Sequence, residues 1–92
     1  MEQPNSTIIK RELIIKNKLG LHARPAALFV QIANKYDAEI SVKKARQVVN
    51  GKSIMGIMML AASKGCKISI IAKGDDAQEA VDELEKLVTT EE

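Results

Sequence analysis

Gly20-Leu21-His22-Ala23-Arg24-Pro25-Ala26-Ala27 marks the passage from a strand into a helix. Upstream, Ile9, Arg11, Leu13 and Ile15 alternate with Lys10, Glu12, Ile14 and Lys16, which is the two-residue period of a strand. Downstream, Pro25, Phe29, Ile32, Ala33 and Tyr36 recur at helical spacing. They predict one buried stripe on a helix from about Ala23 to Lys35. Ala27 and Val30 lie off that stripe, and Leu28 flanks it. Proline is tolerated in the first turn, where its missing N–H would have no intrahelical acceptor. Pro25 therefore predicts a first-turn residue, and His22 falls at or next to the N-cap. Gly20 allows a tight turn with φ > 0 just before the histidine.

The only histidine of the chain is thus set over unpaired backbone N–H groups and the positive end of a helix dipole. Such a position suits an anion, above all a phosphoryl group. Arg24 strengthens this reading, because a guanidinium beside a helix N-terminus clamps phosphate oxygens. A lone histidine near a helix end is usually structural or simply solvated. Its conjunction with Arg24 and Gly20 is what points to chemistry.

The chain has 92 residues and a net charge of +2. That length makes one domain with a modest core. Residues 1–6 are expected to form a flexible leader and residues 7–90 the domain. Phe29 and Tyr36 are the only aromatic residues. A basic stripe interleaved with aromatics is missing, which argues against RNA binding by base stacking as a third reading. The apolar runs are too short to span a membrane, and a charged-then-apolar signal segment is not found. The single cysteine, Cys66, precludes an internal disulfide and fits a reducing compartment, hence the cytoplasm. It reads as a small packing residue. One His and one Cys cannot complete a metal site at ordinary spacing, so neither metal nor cofactor is expected.

Glu39 to Lys43 predicts a second strand with Ile40 and Val42 inward, and Gln47 to Asn50 a short third one. Lys43 to Arg46 forms a basic hairpin connection, and Asn50-Gly51 marks a turn. Ser53 predicts the N-cap of a short helix from Ile54 to Ala62. Ile54, Ile57, Leu60 and Ala61 share one face of it. Met55, Met58, Met59 and Ala62 share roughly the opposite face. A short helix that is apolar all round is either wholly buried or keeps an apolar face for a partner, and methionines suit adaptable binding surfaces. Lys64-Gly65 is expected to end this helix. Lys67 to Lys73 predicts a fourth strand with Ile68, Ile70 and Ala72 on one face. Asp76 and Glu79 have capping-box spacing before a last helix. Its buried stripe is Ala77, Ala80, Val81, Leu84 and Leu87 or Val88, and Glu91-Glu92 is expected to fray. The order β-α-β-β-α-β-α predicts an α+β fold, an antiparallel four-stranded sheet with three helices on one face.

Leu19-Gly20-Leu21-His22-Ala23-Arg24-Pro25-Ala26 resembles the active-site signature of HPr, the histidine-containing phosphocarrier family of the bacterial phosphotransferase system. Val49-Asn50-Gly51-Lys52-Ser53-Ile54-Met55-Gly56 resembles that family's second, serine-centred signature. The separation of the two motifs and the element order match as well, from about Ile9 to Val88. The resemblance implies the HPr-like open-faced sandwich and a monomer. His22 corresponds to the histidine phosphorylated at Nδ1, and Arg24 to the arginine that contacts the phosphoryl group. Ser53 corresponds to the serine phosphorylated where the source has an HPr kinase/phosphorylase. Ala27, Leu28, Gln31, Ile54, Met55 and Met58 correspond to the partner-docking surface.

Members of the family are carriers rather than enzymes. They accept phosphate from enzyme I, which is charged by phosphoenolpyruvate, and donate it to enzyme IIA proteins. A carrier needs a nucleophile that is largely neutral near pH 7, and imidazole meets that need. Gln31 and Asn34 stand where some members carry lysines, which shifts the weight of docking to the methionines. Met58-Met59-Leu60-Ala61-Ala62 looks closer to proteobacterial HPr and nitrogen-branch forms. The alternative function is a regulatory interaction protein read out through phospho-Ser53. Family paralogues that act only in this way lack the histidine.

Overall fold

The computed structural model describes residues 7–91. The leader over residues 1–6 and Glu92 lie outside them. Seven elements follow in the expected order: β1 (Ile8–Ile14), α1 (Ala23–Ala33), β2 (Glu39–Lys44), β3 (Gln47–Asn50), α2 (Ile54–Met59), β4 (Lys67–Lys73) and α3 (Ala77–Thr89). The four strands form one sheet in the order β1-β4-β2-β3, and every neighbouring pair is antiparallel. β4 is central. Its Ile70 stands between Arg11 of β1 and Val42 of β2.

Alternation decides which side of the sheet is covered. Ile40, Val42, Ile68, Ile70 and Ala72 are buried toward the helices. Ile8, Lys10, Glu12 and Ile14 are exposed on the open face. Phe29 from α1, Ile57 from α2 and Leu84 from α3 complete the core, each fully buried. Burial of one such side chain contributes about 1.5–3 kcal/mol. α1 packs against both α2 and α3.

On α1 the buried residues are Pro25, Ala26, Phe29 and Ala33, while Ile32 and Tyr36 are only half-buried. Ala26 was not expected in the stripe. It is fully buried, next to Pro25 on the same flank. The helix stops two residues before Lys35, with Asn34 as its C-cap.

α2 departs further from expectation. It ends at Met59 rather than Ala62, and Lys64-Gly65 forms a separate turn before β4. The stop is Ala61, which takes the left-handed conformation with φ 50. Ala62 is consequently buried and leaves the face of Met55, Met58 and Met59. Ile54, expected beside Ile57 and Leu60, is exposed, because the first turn of a six-residue helix overhangs the core edge.

Asp76 caps α3 by position only. Its side chain makes no bond to its own helix, so the capping box with Glu79 does not form. The carboxylate instead accepts the backbone N–H groups of Asp37 and Ala38, each at 2.9 Å. Both oxygens are thereby committed to the segment entering β2.

Ion pairs fasten α3 to its neighbours. Arg11 of β1 donates to Asp82 and Glu85, both at 2.8 Å. Lys35 pairs with Glu83 at 2.7 Å, and the Tyr36 hydroxyl donates to the same carboxylate. Hydrogen bonding to Glu83 pushes the Tyr36 phenol up to about 12. The Arg11 hydrogen bond holds Asp82 below its ordinary value, and Lys35 does the same for Glu83.

Folded-state values below the unfolded ones mean stability that is present above the ordinary carboxylate range near pH 4 and lost as pH falls through it. Arg11→Met removes the partner of Asp82, so the variant should lose less melting temperature than the parent between pH 6 and pH 3. Parallel pH curves for the two proteins would show that the Arg11 pairs carry none of the acid sensitivity.

Candidate anion site at the α1 N-terminus

The loop between β1 and α1 is pinned along its length. Ile15 N–H donates to the Cys66 carbonyl at 2.9 Å, and the Gly65 N–H returns a bond to the Ile15 carbonyl at 2.8 Å. Lys16 and Asn17 both donate to the Val88 carbonyl, at 3.0 and 3.2 Å. The buried Asn17 side chain accepts the Leu19 N–H at 3.0 Å, and its carbonyl accepts the Gly20 N–H at 3.0 Å. Leu21 then donates to the Ala62 carbonyl at 2.8 Å. The sequence places Asn17 at the start of the turn that runs to Leu21, though not the bond that its side chain makes there. An asparagine opening a turn toward a glycine was the available signal.

Gly20 has φ +67, and a Cβ there would stand 2.8 Å from the Ala62 carbonyl oxygen and 2.9 Å from Ser63 Cα. Backbone strain and backbone contact both demand glycine at this position. The fully buried Leu21 and the fixed turn deliver His22 to the helix start in a set orientation.

His22 is the N-cap of α1, with extended backbone at φ −89 and ψ −161. Its side chain is exposed and makes no cap hydrogen bond. The His22 carbonyl accepts the Ala26 N–H at 2.7 Å, which closes the first turn. Ala23 and Arg24 carry N–H groups with no intrahelical acceptor, and Pro25 has none to offer. Arg24 is exposed and, among the described residues, forms no ion pair with a carboxylate. A cleft of about 360 Å³ lies beside it, lined by Asn17, Leu19, Arg24, Pro25, Leu28, Leu87 and Thr90. Among the described residues, an exposed imidazole, two free N–H groups and an unpaired guanidinium make a shallow anion site.

Ser53 is the N-cap of α2, and its hydroxyl accepts the Gly56 N–H at 3.0 Å. Lys52, next to it, donates to the Tyr36 carbonyl at 2.7 Å, beyond the C-terminal end of α1. Leu21, at the other end of α1, bonds to Ala62, which follows α2. The two helices therefore run in opposite directions. Ser53 and His22 lie at opposite ends of α1, a helix about 16 Å long at 1.5 Å per residue.

Of the expected docking residues, Leu28, Gln31, Ile54, Met55 and Met58 are exposed and Ala27 is half-buried. Met59, 65% exposed, and Leu19, 52% exposed, extend the apolar surface. Acidic side chains are missing from the sequence between Leu13 and Tyr36 and again between Ile40 and Gly74, so both candidate sites and α2 sit in a wholly basic or neutral stretch. Cys66 is half-buried against the core, as a packing residue should be, and its hydrogen bond with Ser63 lowers the thiol's pKa. Among the described residues, no helix is long and apolar enough to cross a membrane.

The comparisons with known proteins agree with this geometry. The family profile of the PTS HPr component phosphorylation site matches residues 9–90. The phosphocarrier protein HPr of Neisseria meningitidis is 47% identical over 81 residues, which is 88% of this chain and 91% of that protein. The crystal structure of a phosphocarrier protein HPr from Bacillus anthracis superposes with a TM-score of 0.86 at 47% identity. That match covers 88% of this chain and 96% of that one. Crh of Bacillus subtilis, described as a catabolite repression protein and a dimer with a swapped domain, has a TM-score of 0.73 at 44% identity, covering 90% and 95% of the two chains. Two signatures in register, the antiparallel sheet under three helices and these matches agree that the chain belongs to the HPr family of bacterial phosphotransferase-system phosphocarriers.

Proposed function

We propose that this protein accepts a phosphoryl group on His22 from phospho-enzyme I, itself charged by phosphoenolpyruvate, and donates it to enzyme IIA proteins. The observation that carries the reading is the exposed, uncapped His22 imidazole at a helix N-terminus with free N–H groups beneath it. The imidazole attacks phosphorus, and the bond from phosphorus to the donor breaks as the bond to His22 forms. The second transfer reverses these roles. The Ala23 and Arg24 N–H groups meet the charge brought by the phosphoryl group, each helix-terminus interaction contributing roughly 0.3–1 kcal/mol. Such modest stabilisation suits a carrier, because a deep anion trap would hold the group too firmly to pass it on.

Leu28, Met55 and Met58, with Ala27, Gln31 and Ile54, form the docking surface in this reading. The working form is the monomer, in which Arg11 of the edge strand pairs with Asp82 and Glu85 of its own chain. The place of action is the cytoplasm, where a lone thiol stays reduced.

Arg24 supplies charge at the transferring group, so Arg24→Ala should slow single-turnover transfer about tenfold, near the low end for a lost charged hydrogen bond. Affinity for enzyme I should change little. Transfer of label from phosphoenolpyruvate, followed in one assay with the binding constant in another, separates the effects. A large loss of affinity with unchanged transfer would make Arg24 a docking residue.

A second reading is favoured by the half-buried Ser53 at the α2 N-terminus, flanked by the exposed Ile54 and Met55: a regulatory protein recognised when that serine is phosphorylated. His22 argues against it as the main role, since the family's purely regulatory paralogues lack the histidine. Absence of label transfer from enzyme I, together with kinase-dependent partner binding, would establish the regulatory role instead.

A further inference from the structure

Four consecutive carbonyls follow one another where α2 ends, and each has an acceptor role to a distant part of the chain. The Met59 carbonyl accepts from Gln47 Nε2 at 3.4 Å. The Leu60 and Ala61 carbonyls accept from Lys44 Nζ at 3.0 and 3.3 Å. The Ala62 carbonyl accepts from the Leu21 N–H at 2.8 Å, one residue before His22. A six-residue helix cannot hold its own end by propagation, because short helices are marginal without tertiary support. Ala61 also sits at φ 50, a conformation that costs a non-glycine residue energy and persists only when its surroundings enforce it. The Lys44 ammonium, set at the negative end of α2, is the one charged group bonded to these carbonyls among the described residues.

We propose that Lys44 is a positioning residue for His22: by bridging the Leu60 and Ala61 carbonyls it fixes the Ala62 carbonyl on which the Leu21–His22 turn hangs. The same stretch is the wall that Gly20 abuts, since a Cβ there would overlap the Ala62 oxygen at 2.8 Å and Ser63 Cα at 2.9 Å. Displacement of this backbone therefore reaches the turn at two points. The catalytic consequence rests on the phosphocarrier reading above. The structural link from Lys44 to Leu21 does not.

Lys44→Met keeps the aliphatic stem and removes the donor. Amide hydrogen exchange should show Leu21 protection falling about tenfold, the low end for a lost charged hydrogen bond, with the Ile70 amide of the central strand unchanged. The transfer rate at saturating phospho-enzyme I should fall about fivefold with KM within about twofold, as expected when a reacting group is misplaced rather than its docking surface lost. Lys44→Arg should restore both. Unchanged Leu21 protection, an equal loss at Ile70, or Leu21 loss with normal transfer would each overturn the proposal. A parent protein that takes no label from enzyme I would overturn the phosphocarrier reading, while Leu21 exchange would still decide whether Lys44 holds the turn.

Discussion

His22→Ala is expected to abolish all acid-labile phosphorylation by enzyme I and phosphoenolpyruvate while leaving the fold in place. The parent should gain one phosphoryl group that acid removes. Stability should change little because the side chain is exposed and makes no cap bond. Surface substitutions of this kind stay within about 0.5 kcal/mol. For a domain of this size that is a melting shift of no more than roughly 4 °C. The two measurements guard one another. Label persisting in the variant would move the nucleophile elsewhere. Lost label with a collapsed circular dichroism spectrum would attribute the effect to folding.

Ser53→Asp is expected to fold as stably as the parent yet accept phosphate at least about 100-fold more slowly, the effect of an uncompensated charge brought into an apolar interface. Ser53 already caps α2 through its hydroxyl, and aspartate is an equally good N-cap. A negative charge at a helix N-terminus is favourable. The loss must then arise on the partner's side. Ser53 and His22 lie at opposite ends of α1, so on the proposed function the charge is expected to act on docking through Ile54, Met55 and Met58 and not on the imidazole directly. Raising the enzyme I concentration should recover much of the rate, which a defect at His22 itself would not permit. Equal labelling rates for the two proteins would remove the switch. A marked drop in melting temperature would show that the Gly56 N–H contact is not met by aspartate.

The element order, the strands Gln47–Asn50 and Lys67–Lys73, and the two caps His22 and Ser53 were legible in the sequence because each depends on neighbours within a few residues. Alternation exposes a strand, an apolar stripe a helix, and proline or serine its first turn. The candidate anion site was legible for the same reason: Gly20, His22 and Arg24 all belong to one turn. Sequence alone did not reveal where α2 stops. Local apolar periodicity continued to Ala62, whereas the helix ends at Met59 and the backbone turns left-handed at Ala61, where Lys44 and Gln47 take the carbonyls from another layer. Asp76 and Glu79 likewise had the spacing of a local cap, but the Asp76 carboxylate was claimed by Asp37 and Ala38 far back in the chain. The strand order β1-β4-β2-β3, the opposed directions of α1 and α2, and hence the separation of His22 from Ser53, rest on contacts between residues distant in sequence. Such contacts leave no periodic trace in the chain, so tertiary packing alone decided them.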